Sequence, residues 1–145
     1  MMKKENLRVT WGVLLVGLEK DWLAPLEVVK LVNEHSSELA LDEDLLVEFN
    51  VNEDDKSSII DLLKTKGELE KEQAIKYWQQ SELMTIEQSD KPIEEKLKDI
   101  ELQWSKFDYP EDWRDFIYYL PNEKSSSNEG IYQIFLNYLN HVPDR

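Results

Sequence analysis

Ile93-Glu94-Glu95-Lys96-Leu97-Lys98-Asp99-Ile100-Glu101-Leu102-Gln103-Trp104 decides the fold class. Ile93, Leu97, Ile100 and Trp104 recur at steps of three and four residues, which puts them on one face of an α-helix. Charged side chains fill the opposite face, as on a helix packed against a core. Asp90-Lys91-Pro92 comes just before and reads as a helix start, an N-cap followed by a proline in the first turn. Phe107-Asp108-Tyr109-Pro110 comes just after and breaks the helix.

The same period recurs in both directions. Upstream, Thr10 is a suitable N-cap for Trp11-Gly12-Val13-Leu14-Leu15-Val16-Gly17-Leu18, apolar on nearly every face and so expected in the core. Gly12 and Gly17 weaken that helix in isolation but allow a neighbour to approach closely. Pro25 suits a first helical position, and Leu26, Val29 and Val32 follow at helical spacing to an end near Leu39. Asp42 caps a short helix with Leu45, Leu46 and Phe49. Asp54 or Asp55 opens another, carrying Ile59, Ile60, Leu62 and Leu63, with Lys64 and Lys66 at its negative end before Gly67. From Glu68 to Gln88 the expected buried positions are Leu69, Ile75, Trp78, Leu83 and Ile86. Downstream, Pro110 begins a helix through Trp113, Phe116, Ile117 and Leu120 that stops at Pro121, and a last helix holds Ile131, Ile134, Phe135, Tyr138 and Leu139.

The expected fold is therefore all-α, with about eight short helices in a compact bundle or a short stack of antiparallel helical pairs. No run reads as a strand, and no fixed period marks a repeat. The 145 residues suit one domain, 1–145, with frayed ends at 1–8 and 141–145 and a mobile loop at 122–130 around Ser125-Ser126-Ser127. Only 4 Gly and 5 Pro agree with long helical stretches. Lys3 and Lys4 before the apolar Val9–Leu18 stretch resemble the opening of a signal peptide. Glu5 interrupts the basic region, however, and no small-residue cleavage site follows, so the stretch is read as a buried first helix.

Charge narrows the partners. The formal net charge is −14, which repels nucleic-acid phosphates and attracts basic protein surfaces. No Lys or Arg occurs between Lys30 and Lys56, a window that holds Glu34, Glu38, Asp42, Glu43, Asp44, Glu48, Glu53, Asp54 and Asp55. On a short helix and its flanking turns these form one negative surface able to steer a cationic partner. The competing reading is a solvated face in which Asp42 and Asp54 serve as helix caps. A second feature is the aromatic group Tyr109, Trp113, Tyr118 and Tyr119 around Pro110, in which Trp113 and Tyr119 are candidate interface anchors as well as candidate core residues.

Catalytic patterns are missing from the sequence. With no cysteine there can be no disulfide, thiolate metal site or cysteine nucleophile, and a reducing cytoplasm is permitted. His35 and His141 sit in no catalytic motif. The order His35-x-x-Glu38 reverses the Glu-x-x-His of di-iron bundles. Asn52-Glu53-Asp54-Asp55 begins like a calcium loop but lacks its glycine and closing glutamate. No metal, cofactor or catalytic residue is expected, and no membrane span. A hydrolase built on a carboxylate pair is the remaining enzymatic class, and it needs two acids in a concave pocket.

Val9-Thr10-Trp11-Gly12 with Gly17-Leu18, and Phe107-Asp108-Tyr109-Pro110-Glu111 through Phe116, Tyr119, Leu120 and Pro121, resemble a family of small uncharacterised bacterial proteins, a domain of unknown function numbered 2247. The resemblance carries over no catalytic residues. Small acidic proteins of this kind resemble immunity proteins, which bind and neutralise a toxin. By that analogy the expected function is a cytoplasmic, non-catalytic inhibitor that blocks a basic toxin-like protein through Glu38, Asp42, Glu43, Asp44, Glu48, Glu53, Asp54 and Asp55, with Trp113 and Tyr119 as further contacts. The alternative is a scaffold or regulatory module that uses the aromatic cluster around Pro110.

Overall fold

The structure, a computed structural model, describes residues 7–117 and 127–140. The described residues hold seven α-helices, two 3-10 segments and no strand. The helices are α1 (Trp11–Glu19), α2 (Pro25–Glu34), α3 (Glu43–Val51), α4 (Lys56–Gly67), α5 (Lys71–Gln88), α6 (Ile93–Lys106) and α7 (Asn128–Asn140). The 3-10 segments are Glu68–Glu70 and Glu111–Phe116. The chain is all-α, as its periodicity requires. Its contacts divide it into two compact units, Leu7–Trp78 and the residues from Gln79 onward, with the division falling within α5.

In the first unit α1 is the core. Every residue from Trp11 to Leu18 is buried. Thr10 accepts at its Oγ1 from the Val13 amide at 3.1 Å, and the Glu70 carboxylate accepts from the Gly12 amide at 2.9 Å. Two of the amides left open at the helix start are thereby satisfied. The glycines permit a close crossing. A Cβ on Gly12 would lie 2.7 Å from Glu70 Cβ, and one on Gly67 would lie 2.7 Å from the Trp11 carbonyl oxygen. Trp78, fully buried, donates its indole N–H to the Val13 carbonyl at 2.9 Å.

Local chemistry sets the other boundaries in this unit. Asp42 accepts from the Leu45 amide at 2.8 Å and starts α3, and Asp55 accepts from the Ser58 amide at 3.3 Å and starts α4. Lys64 and Lys66 lie in the last turn of α4. α2 stops at Glu34, earlier than the end near Leu39 that its apolar pattern suggests. The chain turns through residues 35–40 and closes with Ala40 at φ 53°, its amide bonded to the Ser37 carbonyl and that of Leu41 to the Ser36 carbonyl. Leu69, expected inside, is 100% exposed. It sits in the 3-10 segment, whose tighter winding turns it off the buried face of the α-helices around it.

In the second unit Leu97, Ile100 and Trp104 of α6 are buried, which confirms the stripe. The N-cap of α6 is Pro92 and not Asp90, with no side-chain cap. Lys91 instead reaches Asp99 at 2.8 Å. The segment after Pro110 is 3-10 and not α-helical, and it buries Trp113 and Phe116. α7 buries Ile131, Phe135 and Leu139. Lys96 donates to the Glu87 carbonyl at 2.8 Å, closing the end of α5. Of the expected mobile loop, 122–126 lies outside the described residues, while 128–130 already belong to α7.

Candidate protein-binding surface

The acidic window occupies the end of α2, the turn after it, α3 and the turn into α4. All nine of its carboxylates are exposed. Phe49 is the fully buried residue of α3 and stacks on Trp11 with centroids 5.9 Å apart and planes 19° apart. Its register relative to α2 is fixed by paired amides. Asn33 donates to Asn50 Oδ1 at 3.1 Å while bonding the Val29 carbonyl at 2.8 Å, and Asn50 donates to the Leu46 carbonyl at 2.8 Å. Leu45 and Leu46 are half-buried, and Glu43, Asp44, Val47, Glu48 and Val51 face water.

That outward face is not purely acidic. Val47 is 59% exposed and Val51 76%. Spaced four apart, they form an apolar strip along α3 beside Asp44 and Glu48. The charge there is uncompensated. Among the described residues no Lys or Arg forms an ion pair with any carboxylate of the window. Lys56, which ends the window, is engaged by Asp21 at 2.6 Å, and Glu38 meets only His35, at 3.2 Å. Hydrogen bonds from Ser58, its hydroxyl first and its amide second, hold the Asp55 carboxyl below the usual aspartate range.

The structure thus brings Asp42, Glu43, Asp44 and Glu48 together on α3, with Glu53, Asp54 and Asp55 in the turn that follows. Val47 and Val51 were not singled out in the sequence. The available signal was that both lie off the helical face carrying Leu45, Leu46 and Phe49.

The aromatic cluster behaves differently. Trp113, a candidate interface anchor, is fully buried. Its ring lies between Phe107 at 5.9 Å and Phe116 at 6.1 Å, so it is a core residue and offers nothing to a partner in this fold. Tyr119 and Tyr118 lie outside the described residues. Tyr109 is 56% exposed and rests edge-on against Trp104 at 4.9 Å. Among the described residues no group of three or more His, Asp or Glu is placed to hold a metal ion, and no helix is long and apolar enough to cross a membrane.

A family described as an uncharacterised protein conserved in bacteria (DUF2247) matches residues 1–142. The chain belongs to this family. The match spans the segments Val9-Thr10-Trp11-Gly12 and Phe107-Asp108-Tyr109-Pro110 and the acidic window between them. No curated protein and no solved structure matches the chain.

Proposed function

We propose that this DUF2247 protein is a non-catalytic, cytoplasmic binding protein that seats a basic protein, of the kind an immunity protein blocks, on the α3 face. The observation that supports this reading is the uncompensated charge. Among the described residues the exposed carboxylates on and around α3 form no ion pair with Lys or Arg, and they flank an exposed Val47–Val51 strip. Like charges held together on a rigid surface destabilise the folded state slightly by self-repulsion. A cationic partner relieves that repulsion and speeds encounter, and the valines supply apolar contact at the centre. The absence of cysteine suits a reducing compartment.

The test uses resin-bound protein and native-host lysate at low salt, comparing wild type with the triple variant Glu34→Lys, Glu48→Lys, Glu53→Lys. Asp42 is left intact because it caps α3. The expected result is capture of a basic protein by wild type, lost in the variant and weakened by added salt. Capture that survives charge reversal would remove the acidic face from the mechanism.

A further inference from the structure

A second concave feature lies on residues unrelated to the acidic window. Between the 3-10 segment Glu111–Phe116 and α7 is a cavity of about 320 Å³ lined by Asp112, Asp115, Phe116, Ile134, Asn137 and Tyr138. The winding of the segment explains its chemistry. At three residues per turn, Asp112 and Asp115 eclipse each other and open to the same side. Phe116, nearly fully buried, forms the floor and lies 5.1 Å from the Tyr138 ring with planes 50° apart.

Tyr138 orients the nearer acid. Its hydroxyl donates to Asp112 Oδ2 at 2.5 Å. Burial first, and that bond second, push the hydroxyl well above the usual tyrosine range, so it remains a donor. The bond leaves the other Asp112 oxygen and the Asp115 carboxylate on the cavity lining. Among the described residues the lining has two carboxylates and no basic side chain, which disfavours an anion.

We infer that this cavity receives a single guanidinium group, either from an arginine side chain of a protein or from a free guanidino compound. A planar guanidinium can fork two N–H groups onto a carboxylate while stacking its face on an aromatic ring, whereas an ammonium meets both only as a point charge, without the fork or the stacking plane. The volume is at the small end of ligand sites, suited to a side-chain-sized group.

The test is an NMR titration of the full-length protein, following the Trp113 indole N–H. The probes are N-acetyl-arginine amide, its neutral urea isostere N-acetyl-citrulline amide, and the peptide Gly-Gly-Arg-Gly-Gly. The arginine probes are expected to bind at least about tenfold more tightly than the isostere, as a charge-assisted bond requires. Binding of the free amide as well as the peptide identifies the side chain as sufficient, whereas peptide binding alone identifies a protein source. Asp112→Asn should weaken binding about tenfold, and Tyr138→Phe less. If Asp112→Asn unfolds, Asp115→Asn serves as the charge variant. Equal shifts from arginine and citrulline probes, no shift from any probe, or full binding by a folded charge variant would overturn the inference.

Discussion

Gly67→Ala tests the close crossing that organises the first unit. In an exposed helix the exchange would stabilise by about 1 kcal/mol, because alanine is the better helix former. Gly67 closes α4 against the start of α1, where an added Cβ would meet the Trp11 carbonyl oxygen at 2.7 Å and its carbon at 2.9 Å. Ordinary contact begins near 3.4 Å, so the helices must part by about 0.7 Å. Both opposing atoms are backbone, and no rotamer change relieves them. The separation loosens Trp11, whose ring holds Phe49 and with it α3. Overpacking of this kind costs about 1–3 kcal/mol, which outweighs the propensity gain at all but its lower limit. The expected net loss is up to about 2 kcal/mol, or a melting temperature lower by up to roughly 8 °C. Urea unfolding followed by helical circular dichroism measures it. A variant stabilised by about 1 kcal/mol, as in an exposed helix, would refute the close crossing.

Three further outcomes follow from individual residues. Ala40→Gly should raise stability by about 0.5–1 kcal/mol in the same assay, since Ala40 is exposed and holds a left-handed φ of 53° that glycine adopts without strain. Trp113→Ala should cost about 3–5 kcal/mol by thermal melting, the loss expected of a core indole, whereas an interface indole would cost almost nothing. Two groups give opposite pH dependences. The depressed pKa of Asp55 contributes stability that is present at neutral pH and lost as pH falls below about 4. The pKa of Lys71, raised chiefly by its hydrogen bond to Glu19, marks stability present at neutral pH and lost as pH rises above about 10. Asp55→Asn should flatten the acid limb of a stability–pH curve and leave the alkaline limb unchanged.

Features fixed by short-range chemistry were legible in the sequence. Thr10, Asp42 and Asp55 cap helices because their side chains reach amides three residues on, a distance set by sequence alone. The α6 stripe was legible because its apolar residues hold one period throughout. Features fixed by contacts far along the chain were not. α3 carries apolar residues on several sides; Phe49 is fully buried against Trp11, Leu45 and Leu46 are half-buried, and Val47 and Val51 are left outside. The pairing of Tyr138 with Asp112 spans 26 positions and has no local signature. At Leu69 the error was one of winding, a 3-10 turn where an unbroken α-period was assumed.

The window's acids differ in what the fold itself requires of them. Asp42 and Asp55 cap helices, and Asp54 lies beside the second cap. Glu43 and Asp44 occupy the first turn of α3, where negative charge offsets the helix dipole by about 0.3–1 kcal/mol. Glu38 has His35. A helix start that bound nothing would keep all six. Glu34, Glu48 and Glu53 are different. Glu34 ends α2 and Glu48 sits in the last turn of α3, where the dipole disfavours negative charge, and Glu53 occupies the turn between helices. Folding gives no reason for a carboxylate at these positions, whereas complementarity to a cationic partner does. On the proposal above, they are the acids by which binding is best separated from stability, because neutralising them removes charge from the face without removing a cap.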